Sequence, residues 1–191
     1  MIAITDDLRD GRDGLVARAR AAVRGGATVV QLRLKNADAR TLVDVGRALV
    51  AALPVPVIVN DRADVALACG AAGVHVGADD VPVAALRHVC PPPFVIGASV
   101  RAETAGADYV GIGPIFTTTS KANAPAPIGV DGFKALRATT SAPAVAIGGV
   151  TAEHVAELRK AGAAGVAIIS AIFGTADPEA AARAIRDAWT R

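Results

Sequence analysis

The chain has 191 residues, of which 52% are hydrophobic and 20% are charged, and its formal net charge is +2. This composition excludes a disordered chain, and the scattered basic residues argue against a nucleic-acid partner. No apolar run approaches the roughly 18 residues of a membrane span and no leader peptide opens the sequence, so we expect a cytoplasmic protein without membrane contact. Cys69 and Cys90 lack the spacing of a disulfide framework or a zinc site, and we expect both to be buried.

Short runs rich in Val and Ile alternate with stretches of helical spacing along the whole chain. The pattern predicts strands at Ile2 to Thr5, Val29 to Arg33, Val57 to Val59, Gly73 to Val76, Phe94 to Ser99, Tyr109 to Gly113, Ala144 to Ile147 and Gly165 to Ser170. It predicts helices at Gly14 to Arg24, Ala39 to Ala52, Ala63 to Ala68, Val83 to Val89, Val130 to Arg137, Ala152 to Ala161 and Pro178 to Trp189, the last capped by Asp177. Eight strands that alternate with helices indicate an α/β protein, a (β/α)8 TIM barrel that forms a single domain over residues 1–191.

One helix of the predicted barrel has too little room. Between the fifth and sixth strands, only Arg101 to Ala107 separate Val100 from Asp108, whereas parallel neighbours normally need a crossover of about a dozen residues. This segment, fully extended, reaches about 23 Å, which is enough to return along a strand of about 17 Å. We therefore expect the helix between strands five and six to be largely missing. A partner subunit in a homo-oligomer, or shifted neighbouring helices, would cover the apolar strip that this leaves.

Polar side chains follow the second strand at the end where barrel active sites lie. Alternation along this strand turns Gln31, Arg33 and Lys35 to the same side, into the barrel mouth. Two cations on one inward face favour an anionic ligand, because buried charges are costly unless they are paired. Charges on a solvated loop are the simpler explanation that this hypothesis competes with.

Carboxylates follow the next two strands. Asp61 comes after the third strand, and Asp79 and Asp80 come after the fourth. Asp61 and an acid of the next loop could share a cation, and hard oxygen ligands of this kind suit Mg²⁺. Asp61 could equally pair with Arg33 or Arg62, and the spacing does not decide between these alternatives.

None of the three histidines is a plausible general base at a strand end. His75 lies within an apolar strand, where a hydrogen-bonded core histidine is the more common case, and His88 and His154 fall on predicted helix surfaces. The sequence also contains no Ser/His/Asp set and no context for a catalytic cysteine. Departure of a metal-bound leaving group is therefore favoured over acid–base or covalent catalysis.

The last three strands are followed by residues that suit a phosphate. Thr117 to Lys121 carries four hydroxyls and an ammonium group, although such a loop could be a plain surface turn. Gly148 and Gly149 follow the seventh strand, and backbone amides near Ser170 follow the eighth. Glycines and amides at these two ends form the recurrent phosphate site of such barrels, unless the glycines serve only the turn. We expect Thr117 to Ile128 to be a mobile loop over the barrel mouth.

The sequence therefore predicts two anion sites for two phosphorylated reactants. One site is cationic and assisted by a metal, and the other is lined by backbone amides.

At these positions the chain resembles the thiamine-phosphate synthases, barrel enzymes that join the pyrimidine and thiazole halves of thiamine phosphate. The resemblance runs almost from end to end and is carried by motifs in a fixed order. These are Ile4-Thr-Asp6, Gln31-x-Arg33-x-Lys35, Val59-Asn-Asp-Arg-Ala-Asp-Val-Ala-Leu67, Gly73-Val-His-Val-Gly77 with Asp80, Gly97-x-Ser99, Gly106-Ala-Asp-Tyr-Val-Gly-Ile-Gly-Pro-Ile-Phe116, Thr118-x-Ser120-Lys121, Ala146-Ile-Gly-Gly-Val150 and Ser170-Ala-Ile172. The related thiazole tautomerases resemble it less, because they tend to carry His in place of Pro114 and to lose the acid at Asp61.

The resemblance implies a Mg²⁺-dependent transferase for two small-molecule substrates. It would condense 4-amino-2-methyl-5-hydroxymethylpyrimidine diphosphate with thiazole phosphate, and pyrophosphate would depart before the thiazole nitrogen captures the remaining cation. A tautomerase, or a degenerate barrel that binds thiamine intermediates without turnover, is the alternative.

The resemblance also implies the residues of each site. The pyrimidine diphosphate would be bound by Gln31, Arg33, Lys35, Asn60, Ser99 and Lys121, with Arg33, Lys35, Ser99 and Lys121 as the catalytic residues. Leu32 and Leu34 would also belong to the substrate-binding residues. The thiazole phosphate would be bound by Thr118, Thr119, Ser120, Gly149, Ile169 and Ser170, and Mg²⁺ by Asp61 and Asp80.

Overall fold

The structure is a computed structural model and describes residues 1–101, 104–120 and 125–190. Its strands are β1 (Ile2–Ile4), β2 (Val29–Leu32), β3 (Val57–Asn60), β4 (Gly73–Val76), β5 (Val95–Ser99), β6 (Tyr109–Ile112), β7 (Ala144–Ile147) and β8 (Gly165–Ile168). Its helices are α1 (Gly11–Arg24), α2 (Ala39–Ala52), α3 (Ala63–Cys69), α4 (Val83–Val89), α5 (Gly129–Arg137), α6 (Ala152–Lys160), α7 (Ser170–Phe173) and α8 (Pro178–Thr190).

The eight strands form a closed parallel barrel in sequence order, with β8 paired to β1. The predicted (β/α)8 barrel is therefore confirmed. Because every strand runs in the same direction, all eight carboxyl ends lie at one rim, and the loops that follow them surround one mouth.

The chain changes direction after β8 earlier than the sequence pattern predicts. The eighth strand was expected to reach Ser170, but it ends at Ile168 and Ser170 begins the short helix α7. Ile168, Ile172 and Phe173 are all buried, a spacing that fits a helical turn better than an extended strand. A helix of one turn is too short to produce a periodic signal, so the sequence pattern missed it.

The barrel interior is apolar at its lower end and polar at its mouth. Ile2, Ile4, Val145 and Ala167 pack against one another inside the barrel, with Tyr109 beside them. The much larger core between the strands and the helices is built from Leu, Val, Ile and Ala, and Cys69 belongs to it. Cys69 and Cys90 are both buried free thiols, as predicted.

The connection from β5 to β6 contains no helix in its described residues, which are 100–101 and 104–108. Ile96 and Val110 face outward from these two strands, and neither has any exposed surface. The side chains of α4 pack over Ile96, and Val110 shares a buried cluster with Phe133 of α5. Shifted neighbouring helices of the same chain therefore cover the strip, which is one of the two arrangements that the sequence allowed.

Arg87 of α4 bridges the edge of this gap. Its guanidinium donates to the carbonyl oxygens of Phe94 at 2.7 Å and Gly106 at 3.1 Å, and to the Asp108 carboxylate at 2.6 Å. The same carboxylate oxygen accepts the Ile96 amide at 2.7 Å. Polar contacts to one arginine thus hold the short connection where a helix would otherwise pack.

No helix in the described part of the chain is long and apolar enough to cross a membrane.

Candidate active site

A cavity of about 380 Å³, here the central cavity, opens at the carboxyl ends of the strands. Its lining includes Gln31, Arg33, Asn60, Asp61, His75, Asp79, Asp80, Ser99, Arg101, Pro114, Thr118, Ser120, Gly148 and Ile169. The strand registers explain this convergence, since Asn60 is level with His75 and Ser99 is level with Gly111 on the neighbouring strand.

The backbone of Arg33 is held at the rim by the side chain of Thr5, the residue that directly follows β1. Its N–H donates to the Thr5 hydroxyl at 2.8 Å, and that hydroxyl donates back to the Arg33 carbonyl at 3.1 Å. Burial lowers the pKa of the Arg33 guanidinium, and the nearby Asp61 carboxylate offsets part of this effect. A partly desolvated cation in this position is suited to an anionic ligand.

The backbone of Asp61 is turned sharply at the end of β3. Its φ is 64°, in the left-handed region, and its N–H donates to the His75 carbonyl at 2.7 Å. Of the two arginines that the sequence offered as partners, Arg62 binds Asp64 through two donors at 2.6 and 2.8 Å, whereas Arg33 lies close enough to Asp61 for the two charges to interact.

Asp80 lies opposite in the same cavity, where its Oδ2 accepts the Gly77 amide at 2.7 Å. The described residues contain no cluster of three His, Cys, Asp or Glu side chains that could hold a metal alone. Two carboxylates are nevertheless compatible with Mg²⁺. This ion usually keeps several waters, and phosphate oxygens complete its coordination sphere. The donor set at Asp61 and Asp80 therefore fits that ion.

Gln31 and Asn60 form a polar layer in the lining of the central cavity. Gln31 is 3% exposed, and its Nε2 donates to Asn60 Oδ1 at 2.9 Å. A buried amide pair of this kind is held in one orientation, because breaking the bond would leave a polar group unsatisfied.

His75 lies in the wall of the cavity. Its Nδ1 is 2.9 Å from the Tyr109 hydroxyl and its Nε2 is 3.3 Å from Ser99 Oγ. The expected hydrogen bonding of His75 is confirmed, but the pattern did not reveal that this ring faces the cavity. Its alternation with Gly73 and Gly77 along β4 was the available signal.

A second cavity of about 200 Å³, here the amide cavity, lies between the ends of β6, β7 and β8. Gly148 and Gly149 border it with φ of 93° and 66°, and a Cβ on Gly149 would lie only 2.5 Å from the Thr117 carbonyl oxygen. Both glycines therefore allow the turn that follows β7, and the absence of a side chain also lets the Thr117 backbone come close to Gly149. Predicted phosphate-site residues in the lining are Thr118, Ser120, Gly149, Ile169 and Ser170.

A third cavity of about 610 Å³, here the outer cavity, extends from Arg33 and Lys35 toward Ser170. Asp6, which ends the Ile4-Thr-Asp6 motif, also lines it, as does Asp7, which belongs to none of the motifs. Ser120 and Ile169 border all three cavities, so these form one connected mouth. Arg33, Asp61 and Ser170 consequently open onto the same face of the molecule.

Several predicted site residues lie outside this lining. Leu32 is fully buried in the core on the helix side of the barrel, and Thr119 is exposed and borders none of the three cavities. Leu34 is 8% exposed and lines the outer cavity. Lys121 lies outside the described residues, as does part of the loop expected over the mouth, but Ser120 and Pro125 on either side line the central cavity.

The remaining histidines differ from each other. His88 is exposed on α4, as predicted. His154 lies on the surface of α6, as predicted, with 26% of its side chain exposed, and its ring also stacks on Phe116 with centroids 3.8 Å apart. Its Nδ1 also accepts the Thr151 amide at 3.2 Å. A stacked ring at the first turn of α6 depends on a loop that is distant in sequence, so the helical pattern alone could not reveal it.

The fold and this mouth define a class of protein, a TIM-barrel enzyme that handles phosphorylated small molecules. A family model described as thiamine monophosphate synthase matches residues 1–172, and the chain belongs to that family.

Curated relatives agree with this membership. The thiamine-phosphate synthase of Moorella thermoacetica is 44% identical over 200 residues, which cover 100% of this chain and 95% of that protein. The thiamine-phosphate synthase of Methanoculleus marisnigri is 49% identical over 179 residues, covering 88% of this chain and 85% of that protein.

Solved structures agree as well. A thiamine phosphate pyrophosphorylase from Pyrococcus furiosus superposes with a TM-score of 0.86 at 35% identity, covering 99% of this chain and 94% of that one. A 3-hexulose-6-phosphate synthase, with a TM-score of 0.76 at 21% identity over 98% of both chains, shares the fold.

Proposed function

We propose that the chain condenses 4-amino-2-methyl-5-hydroxymethylpyrimidine diphosphate with thiazole phosphate to give thiamine phosphate and pyrophosphate. The observation that carries the proposal is the junction at Ser120 and Ile169, where a cavity with a cation and carboxylates meets one lined by backbone amides. Two adjoining anion sites are what a reaction between two phosphorylated molecules requires, because both must be held with their reacting atoms together.

The diphosphate would lie against Arg33 and Lys35, with Gln31, Asn60 and Ser99 around the pyrimidine. When the carbon–oxygen bond to the diphosphate breaks, negative charge grows on the leaving group. Arg33 stabilises that charge more strongly than a solvated cation would, because its guanidinium is partly desolvated at the edge of the cavity. Lys121, as the resemblance implies, would add a second cation from the loop.

Asp61 and Asp80 would hold Mg²⁺, which when bound neutralises negative charge on the diphosphate. Arg33 lines the same cavity, so the ion would share it with that guanidinium.

The thiazole phosphate would lie in the amide cavity. The Thr118 and Ser120 hydroxyls and the amides near Gly149 and Ser170 offer neutral donors there. A neutral site of this kind binds the phosphate while the cations remain with the leaving group. The thiazole nitrogen is thereby positioned for attack on the pyrimidine carbon.

The residues that distinguish the synthases from the tautomerases both belong to the central cavity. Pro114 and Asp61 line it, so the departures from the tautomerase pattern lie where substrate would bind.

The direct test combines both substrates with Mg²⁺ and follows thiamine phosphate and pyrophosphate. The proposal predicts both products in equal amounts, and loss of turnover when Mg²⁺ is chelated and its recovery when Mg²⁺ is restored. Isomerised thiazole without coupling would replace the proposal by a tautomerase, and substrate binding without either product would replace it by a degenerate barrel.

A further inference from the structure

Three inward-facing side chains connect the interior of the barrel to its mouth. The Tyr109 hydroxyl is 2.9 Å from His75 Nδ1, and His75 Nε2 is 3.3 Å from Ser99 Oγ. Ser99 and His75 line the central cavity, whereas Tyr109 packs with the apolar residues below it. The chain of contacts therefore runs from the apolar interior to a hydroxyl at the site.

Two glycines make room for these rings. A Cβ on Gly97 would lie 2.1 Å from Tyr109 Cζ, and a Cβ on Gly111 would lie 3.1 Å from His75 Cε1. Any larger residue at 97 would displace the Tyr109 ring, and one at 111 would crowd His75. The interior on this side of the barrel is therefore shaped around the two rings.

The direction of the hydrogen bonds follows from the number of protons that each group carries. Among the described residues, His75 is the hydrogen-bond partner of the Tyr109 hydroxyl. If that hydroxyl only accepted, its buried proton would lack an acceptor, at a cost of about 1–3 kcal/mol. Tyr109 therefore donates to Nδ1. A neutral imidazole carries its single proton on the other nitrogen, so Nε2–H donates to Ser99.

Burial raises the pKa of the Tyr109 phenol, so this group keeps the proton that it donates.

We infer that Tyr109 is a positioning residue that acts through His75 on Ser99. Because Ser99 Oγ accepts from His75, its own proton is left to donate into the central cavity. That proton meets an acceptor atom of the pyrimidine diphosphate. This inference rests on the proposed function for the identity of the ligand, but the direction of the three hydrogen bonds does not depend on it.

The first test measures the His75 tautomer in the ligand-free protein by ¹⁵N NMR. The inference predicts the Nε2–H tautomer in the wild type and a mixture of tautomers in Tyr109→Phe, which keeps the ring and removes only the hydroxyl. His88 is exposed and serves as the internal reference, since it should be unaffected by the substitution. The Nδ1–H tautomer in the wild type would overturn the inference whatever the enzyme catalyses.

The second test measures binding of the pyrimidine diphosphate with Mg²⁺ by calorimetry, in a double-mutant cycle. Tyr109→Phe should weaken binding about tenfold, as expected for loss of one oriented hydrogen bond. In a Ser99→Ala background the same substitution should have no effect, because the hydroxyl that Tyr109 orients is gone. Binding of thiazole phosphate should be unchanged in all four proteins.

Equal losses in both backgrounds would show that Tyr109 supports the barrel without acting through Ser99, and would overturn the inference. Melting temperatures of the four proteins identify any variant that is merely unfolded. A wild-type protein that shows the Nε2–H tautomer but does not form thiamine phosphate would refute the proposed function and leave the direction of the three hydrogen bonds established.

Discussion

Asp61 has the left-handed backbone that usually belongs to glycine, and it is the one non-glycine residue of the described chain with a positive φ. Such a conformation costs about 1–2 kcal/mol for most side chains, although Asp and Asn tolerate it better. The surrounding structure maintains it, since the Asp61 amide is tied to the His75 carbonyl at 2.7 Å. Asp61 lines the central cavity together with Asp80 and Arg33, and its charge interacts with that of Arg33.

Asp61→Asn is the sharpest test of the carboxylate, because Asn accepts the same backbone conformation and removes only the charge. We expect kcat/KM for the pyrimidine diphosphate to fall about 100-fold or more, with a higher Mg²⁺ requirement and an unchanged melting temperature. Asp64→Asn is the matched control, because Asp64 binds Arg62 at the surface. Undiminished turnover in Asp61→Asn would remove the proposed metal role.

His75 makes the stability of the protein depend on pH. Its pKa is 6.5 in an unfolded chain and about 4 in the folded protein, so the unfolded state binds more protons between these values. The contribution of this pKa shift to the free energy of unfolding is complete above pH 6.5 and is lost as the pH falls toward 4. The total loss is about 3 kcal/mol. Urea denaturation of the wild type and of His75→Gln should therefore give free energies whose difference shrinks from pH 7 to pH 4.5. A difference that is constant with pH would contradict this.

At the scale of elements, the connection from β5 to β6 shows what the sequence can and cannot predict. Chain length alone indicated that a helix is missing, because the connecting segment is too short for one. The contacts of Arg87 that take the place of this helix could not be predicted, since Arg87 is distant in sequence from Asp108 and from the Gly106 backbone that it binds. Strands and long helices were predictable from periodicity, whereas α7 is a single turn and leaves no periodic signal.

Arg87→Met tests the bridge while retaining an aliphatic chain of similar length. We expect a loss of about 1–3 kcal/mol in the free energy of unfolding, because two carbonyls and the Asp108 carboxylate lose their donor. Arg183→Met is the control, since Arg183 forms an exposed pair with Glu179 worth about 0.5 kcal/mol. Equal losses in the two variants, measured by urea denaturation, would show that the bridge has no special role.

At the scale of the whole molecule, the barrel brings together residues that are distant in the sequence. Arg33, Asp61 and Ser170 follow three different strands and Ser99 ends a fourth, yet all belong to the same connected mouth. The strand ends were predictable as a site, because parallel strands in a barrel share one rim. The junction of the cavities at Ser120 and Ile169 was not, because it depends on how the loops after β6 and β8 pack. The placement of Leu32 was predictable too, because the alternation that turns Gln31 and Arg33 into the mouth turns Leu32 toward the helices.

The most direct test is a crystal structure of the protein with thiamine phosphate, pyrophosphate and Mg²⁺. The account predicts pyrophosphate against Arg33 and Lys35 with the ion on Asp61 and Asp80, and the phosphate of the product in the amide cavity beside Gly149 and Ser170. Phosphate groups bound in the reverse arrangement, or on a face of the molecule away from Ser120 and Ile169, would contradict it.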